Sequence, residues 1–298
     1  MNRIAVPSAF ASATIAREGK AGRHWIVALP DLVMALCDHW NLAVDGTPMH
    51  GYLGLAVPVR RGEESAILKV SWLDESSRDE AAALSAWAGQ GAVRLLEGEP
   101  SLGAMLLERL DYHRSLNDVA IEDAVALAGR LLRRLAIAPP DGIRSSRTVA
   151  ADLTTNLLGR WERYGRPMPR RLLDRACDLA TAFGRTGGML LVNYDLLYTD
   201  VLAGTREPWL AVDPKVVVGD PEFGVAQLLW RRLEEMEVQG GLDRFFHLLT
   251  DAAKLDPGLA RAWTLLRTVD YWLWGLGAGL TEDPARCERI IAWLNSTV

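Results

Sequence analysis

Apolar residues change their spacing once along this chain, near residues 108–115, and that change constrains the fold more than any other feature. Before it, short apolar runs are bounded by turn residues. Val57–Arg61 and Ala66–Trp72 flank Gly62 as a hairpin, and Ala92–Leu96 and Ala104–Glu108 flank a turn at 98–103. The spacing also predicts a helix over 30–40, with Leu32, Val33, Leu36, Cys37 and Trp40 on one face and Asp31 as its cap. A second helix is expected over 74–88, which is rich in Ala and Glu. Beyond the change the chain reads as helix over 122–137, 150–164, 169–183 and nearly everything after Phe223, with short strands only within 189–212. The expected class is α+β, with a strand-rich N-terminal lobe over 1–108 and a mostly helical C-terminal lobe over 109–298. Two lobes of different class make a cleft the expected place for a ligand.

Composition removes several alternatives. The 298 residues suit about two domains, at roughly 150 residues each, or one large one, and 49% apolar with 24% charged residues is globular rather than disordered. A net charge of −5 argues against a nucleic-acid partner. The three cysteines, Cys37, Cys177 and Cys287, are far apart and support neither a disulfide framework nor a thiolate zinc site. The first residues imitate a secretion signal only faintly, with Pro7 and Ser8 inside the apolar part, so a cytoplasmic location is expected. No window approaches the roughly 20 apolar residues of a membrane span, so no membrane partner is expected. The five histidines lack metal-ligand spacing, and no nucleophile elbow occurs. Gly275-Leu-Gly-Ala-Gly279 has part of a dinucleotide fingerprint but no βαβ unit around it, and reads as a helix break.

The most informative stretch runs from Leu190 to Lys215. Asp195, Asp200 and Asp213 each fall at a strand end or in a loop. A hairpin between 201–203 and 209–212 brings Asp200 and Asp213 towards each other. Converging carboxylates suit a hard cation such as Mg2+. The alternative is that all three are turn and cap residues, as loop aspartates often are. Upstream, Lys69 interrupts the apolar strand Ala66-Ile-Leu-Lys-Val70, and Glu80 follows on the next helix. It is either an edge-strand charge or a lysine held by Glu80 and aimed at phosphate oxygens.

Taken together, these residues carry a resemblance. Over nearly its full length the chain resembles an aminoglycoside phosphotransferase of the streptomycin 6-phosphotransferase and hydroxyurea phosphotransferase type, most clearly in Ala66–Leu96, Leu106–Leu110 and Leu190–Leu229. Pro208-Trp-Leu-Ala-Val-Asp-Pro-Lys-x-x-x-Gly-Asp-Pro221 is its most specific motif. The resemblance implies a bilobal protein-kinase-like fold and a kinase that uses ATP (or GTP) with Mg2+. It implies Asp195 as the catalytic aspartate at the acceptor hydroxyl, and Asp213 and Asp200 as metal ligands, with Asp200 where the family usually carries Asn. It implies Lys69 at the nucleotide phosphates with Glu80 as its ion-pair partner. Leu107, Glu108, Arg109 and Leu110 fall on the hinge, where backbone groups would hold the adenine. Asp220 would orient the catalytic loop. The loop departs from the family's usual His-Gly-Asp-Leu-His-x-x-Asn, reading Asn193-Tyr-Asp-Leu-Leu-Tyr-Thr-Asp200.

The expected activity is phosphorylation of a hydroxyl on a small molecule, an aminoglycoside first. The alternatives are a kinase of hydroxyurea or another hydroxylated metabolite, and a nucleotide-binding relative with weak or no catalysis. A cationic acceptor calls for acidic and aromatic groups, and Glu234, Asp270, Trp272 and Trp274 are the candidates in the C-terminal part. Each has a structural reading as well, the glutamate on a solvated helix face and the aromatics in the core. A monomer or weak dimer is expected.

Overall fold

The structure is a computed structural model that describes residues 4–296. It forms two compact units, one ending at Asp111 and one beginning at Tyr112.

The first unit is a twisted antiparallel sheet backed by a long helix. Helix α1 (Ser8–His39) is followed by strands β1 (Ala43–Val44), β2 (Met49–His50), β3 (Gly54–Arg61) and β4 (Glu64–Ser71). Then come helix α2 (Glu80–Trp87), strand β5 (Leu95–Glu99) and strand β6 (Ala104–Glu108). The sheet order is β1-β3-β4-β6-β5, with β2 also on β3. The expected hairpin at Gly62 joins β3 to β4, and Gly62 takes φ 61°, a conformation glycine adopts at no steric cost.

Side chains alternate across a strand, so Leu55, Val57 and Val59 of β3, Ala66, Leu68 and Val70 of β4, and Ala104 and Leu106 of β6 share one face. That face packs on Ile26, Leu29, Val33, Leu36 and Cys37 of α1. The opposite face therefore carries Lys69, whose register partners are Ala56 and Met105.

Two expected helices are corrected here. The helix predicted over 30–40 extends back to Ser8, with a break at Gly19 (φ 62°) and Pro30 inside it, so Asp31 is not a cap. The apolar stripe that begins with Ile26 passes straight through Pro30. Burying it on the sheet outweighs the roughly 3 kcal/mol that an interior proline costs. The helix expected over 74–88 begins only at Glu80. Asp74 Oδ1 accepts hydrogen bonds from the backbone N–H of Ser76 (2.8 Å) and Ser77 (2.9 Å), a local turn that competes with helix.

The second unit is mostly helical. Its elements are β7 (Asp111–Ser115), α3 (Ile121–Leu135), α4 (Ser146–Arg163), α5 (Arg170–Phe183), β8 (Leu190–Asn193), β9 (Val201–Ala203), β10 (Trp209–Ala211) and β11 (Val216–Gly219). The chain closes with α6 (Val225–Trp230), α7 (Leu233–Val238), α8 (Leu242–Ala253), α9 (Pro257–Gly277) and α10 (Glu282–Ser296). Helix α3 packs on α8, α4 on α5, and α9 against α5 and α10. Helix α9 begins where Asp256 accepts from Leu259 N (2.7 Å) with Pro257 at its first position, an arrangement that satisfies an orphan N–H. Two small sheets, β10-β9-β7 and β8-β11, sit among these helices. Strands β7 and β11 were not anticipated. Among the described residues no helix is long and apolar enough to cross a membrane.

Candidate active site

In the first unit Lys69 and Glu80 meet as the sequence suggested. Lys69 Nζ donates to Glu80 Oε1 (2.6 Å) and Oε2 (2.7 Å), and both residues are buried. A buried charge survives when it is paired and hydrogen-bonded, and this pair satisfies both conditions. At the end of β6, Glu108 Oε1 accepts from Arg94 N (2.8 Å), and its own N–H donates to Arg94 O (3.0 Å). Arg109 pairs with Asp45 (2.7 Å), and Leu110 is buried.

In the second unit the β8–β11 ladder sets the geometry. Asn193 pairs with Val216, and one step further the Tyr194 N–H donates to Lys215 O (2.9 Å). Asp195 follows directly. Its own N–H donates to Asn193 Oδ1 (3.2 Å), so the asparagine in the loop's first position fixes the backbone at the aspartate. Its carboxylate accepts from Gln227 Nε2 of α6. Arg267 of α9 donates to the carbonyls of Tyr194 and Phe223, each at 2.8 Å, and lies over both rings. Burial lifts the Asp195 carboxyl above the usual carboxylate range, and the positive charge of Arg267, the Gln227 bond and the charge of Lys215 act against that rise.

The β9–β10 hairpin places the other two aspartates. Leu210 pairs with Leu202, and Val212 N donates to Asp200 O (2.8 Å), so Asp200 and the residue before Asp213 are hydrogen-bonded neighbours. Thr199 Oγ1 donates to Asp200 Oδ1 (3.2 Å). Asp213 occupies the left-handed region (φ 49°) immediately before Pro214, a conformation rare outside glycine, asparagine and aspartate and one that gathers at functional sites. Its Oδ1 accepts from Lys215 Nζ (3.0 Å). Among the described residues no group of three or more His, Cys, Asp and Glu side chains is placed to hold a metal ion. Two hard oxygen donors nonetheless suit Mg2+, which keeps waters and takes phosphate oxygens beside one or two carboxylates.

Asp220 does not reach the loop at Asp195. Its Oδ1 accepts from Gly188 N (2.7 Å) and its Oδ2 from Trp263 Nε1 (3.2 Å), so it anchors the entry to β8 rather than its exit. Gly188 is required there, because a Cβ would lie 2.6 Å from Gly219 O and 2.8 Å from Asp220 Oδ1.

The acceptor candidates already have partners or lie in the core, Trp274 excepted. Asp270 is bound by Arg160, at 2.5 Å to Oδ1 and 2.8 Å to its carbonyl. Glu234 pairs with Arg286 (3.0 Å) and Arg289 (3.1 Å) across to α10, and these arginines hold its carboxyl below the usual range despite partial burial. Trp272 is in the core, whereas Trp274 is 44% exposed. Trp274 ends a ladder of stacked rings, 5.3 Å from Tyr271, which lies 4.6 Å from buried Trp230. Sequence reasoning missed Gln227, Arg267 and Lys215. Lys215 stood inside the quoted motif, but nothing in the sequence places a glutamine 32 residues downstream on Asp195.

Residues 39–279 match the aminoglycoside/hydroxyurea antibiotic resistance kinase family. The chain belongs to that family. It is 39% identical to a hydroxyurea phosphotransferase of Kitasatospora aureofaciens, over 95% of this chain and 84% of that protein. It is 37% identical to a streptomycin 6-kinase of Streptomyces griseus, over 94% of each. In fold it is similar to aminoglycoside phosphotransferase APH(4)-Ia (TM-score 0.61, 18% identity, 88% of this chain and 97% of that one). It is also similar to choline kinase LicA from Streptococcus pneumoniae (TM-score 0.58, 12% identity, 89% and 99%). The resemblance read from the sequence is thus borne out, as is the α+β kinase-like fold, and the enzyme class is phosphotransferase with a hydroxyl acceptor.

Proposed function

We propose that the chain is an ATP-dependent kinase of a small hydroxylated molecule, an aminoglycoside of the streptomycin type, with Asp195 as its catalytic carboxylate. The observation that carries the reading is the shared end of the β8–β11 ladder. There Asp195 and the Asp213–Lys215 pair are tied together through the Tyr194–Lys215 hydrogen bond, in a chain of this family.

Phosphoryl transfer asks little covalent help of a protein and much positioning and charge neutralisation. The Asp195 carboxylate would orient the acceptor hydroxyl and take its proton as the oxygen bonds to the γ-phosphorus. Asp213 and Asp200 would hold Mg2+, whose charge, when bound, offsets that of the phosphate oxygens. Lys69, fixed by Glu80, would hold the nucleotide phosphates, and the backbone at Glu108 and Leu110 the adenine. On the acceptor side, exposed Trp274 offers a ring face to a cationic sugar. Asp270 and Glu234 already carry arginine partners, so they enter this reading only through a rearrangement of those pairs.

The test is mass spectrometry of an aminoglycoside panel that includes streptomycin, with hydroxyurea alongside, incubated with enzyme, Mg2+ and ATP or GTP. A gain of about 80 Da on streptomycin, the mass of one phosphoryl group, is expected. Transfer to hydroxyurea alone would move the acceptor to the other branch of the family. No transfer to any member would remove the proposal.

A further inference from the structure

Lysine is scarce in this chain. Of 33 basic side chains only four are lysines, Lys20, Lys69, Lys215 and Lys254. Two of the four are buried, Lys69 and Lys215. Lys69 is committed to Glu80 through both carboxylate oxygens. Lys215 is given no chemical role in the function proposed above, yet it sits at the centre of the proposed site. Its ammonium is 3.0 Å from Asp213, its carbonyl holds the N–H next to Asp195, and it is 8% exposed.

The local charge balance explains why a cation is needed there. The loop 193–200 contains two aspartates and no basic residue, and both positions directly after Asp195 are leucine. Asp213 adds a third carboxylate. A nucleoside triphosphate brought to this end of the β8–β11 ladder would meet more negative charge than the loop itself can offset. Arg267 is spent on two backbone carbonyls, and Arg231 is exposed. Lys215 is a buried cation directly before β11, the strand laced to the loop. Lysine suits a role that guanidinium would fill poorly. Its ammonium is a point charge with three rotatable donors on a flexible stem, able to turn from one oxygen to another, whereas arginine would lock both oxygens of Asp213 in a planar fork.

We propose that Lys215 is a further catalytic residue that donates to an oxygen of the transferring γ-phosphoryl group, with Asp213 as its resting partner. The proposal rests on the function assigned above. In the step it serves, the acceptor oxygen forms a bond to the γ-phosphorus, and the bond from that phosphorus to the bridging oxygen breaks. The electron pair leaves on the nucleoside diphosphate, and the hydroxyl proton passes to Asp195. Lys215 keeps its own proton throughout. Its ammonium meets the charge that grows on the phosphoryl oxygens, where a fixed cation lowers the barrier most.

The test compares Lys215→Met, Lys215→Arg and Asp213→Ala by turnover and by calorimetric affinity for ADP and for the non-hydrolysable triphosphate AMP-PNP, all with Mg2+. For Lys215→Met we expect kcat to fall on the order of 10²–10³-fold, as for a cation acting on the transferred group. AMP-PNP should bind about tenfold more weakly and ADP as in the wild type, because the contact is to the γ-phosphoryl group alone. Lys215→Arg keeps the charge and the pairing with Asp213, so it serves if the methionine variant does not fold. It should show the same selective weakening to a smaller extent. A lysine that serves only to hold Asp213 would leave the ratio of the two affinities unchanged in both variants, and that result with normal turnover overturns the proposal while the site stands. Normal turnover in Asp213→Ala removes the site itself, and the role of Lys215 with it.

Discussion

Two lysine–carboxylate pairs lie in the two units, and they are built differently. Lys69 reaches both oxygens of Glu80, whose side chain is 1% exposed. Lys215 reaches one oxygen of Asp213, whose side chain is 35% exposed and whose backbone is left-handed. The first pair fixes a buried ammonium in one place. The second joins a partly exposed carboxylate to a lysine that holds one of its oxygens. The difference separates an ammonium fixed in one place, proposed to hold nucleotide phosphates, from a pair proposed to be exposed to the transferred group. It also says where a substitution harms stability most.

The largest stability effect is expected at the closed pair. Lys69→Ala leaves Glu80 buried without its partner and should cost about 3–5 kcal/mol in urea unfolding. Asp213→Asn retains an acceptor and a residue that tolerates left-handed backbone. It should cost under ~1 kcal/mol, as for a partly exposed pair, while turnover is lost. Equal costs at the two sites would erase the distinction.

A smaller effect is expected one contact away from the chemistry. Gln227→Leu removes the donor to Asp195 and leaves the burial that raises its carboxyl. Turnover should drop on the order of tenfold to a hundredfold, the range for a misplaced catalytic group. The acid limb of kcat/KM should move to higher pH, because that profile follows the free enzyme's carboxyl. An unmoved limb would mean that Gln227 merely fills space.

The sequence exposed the fold's outline through period and turns. The hairpin at Gly62, the strand Ala104–Glu108 and the helical remainder follow from alternation, glycine and 3.6-residue spacing, whereas the partner strand expected over 92–96 lies at Leu95–Glu99. It misled where local chemistry outweighed pattern. Asp74 holds the chain in a turn before α2, and the stripe through Pro30 carries α1 past a proline. It was silent where the partner is distant in sequence. Asp195 and Asp213 are legible from strand ends and family motif, but Gln227 and Arg267 come to the loop from α6 and α9, and no local signal marks them. β11 was not anticipated although Val216-Val-Val218 is strand-like, because three apolar residues are too short a run to mark a strand by alternation.

Asp195→Asn tests the central claim most directly, through turnover and stability measured on one variant. The amide keeps an oxygen for Gln227 but cannot take a proton from the acceptor. The native state holds the Asp195 proton to higher pH than the unfolded chain, so its contribution to stability is complete below about pH 4 and is lost as pH rises through the native value. Removing the desolvated charge should therefore stabilise the protein at pH 7–8 by roughly 0.5–2 kcal/mol, a gain that fades towards pH 4, while phosphoryl transfer is abolished. A variant that turns over normally, or one that loses stability at neutral pH, would contradict the assignment of Asp195 as a buried catalytic carboxylate.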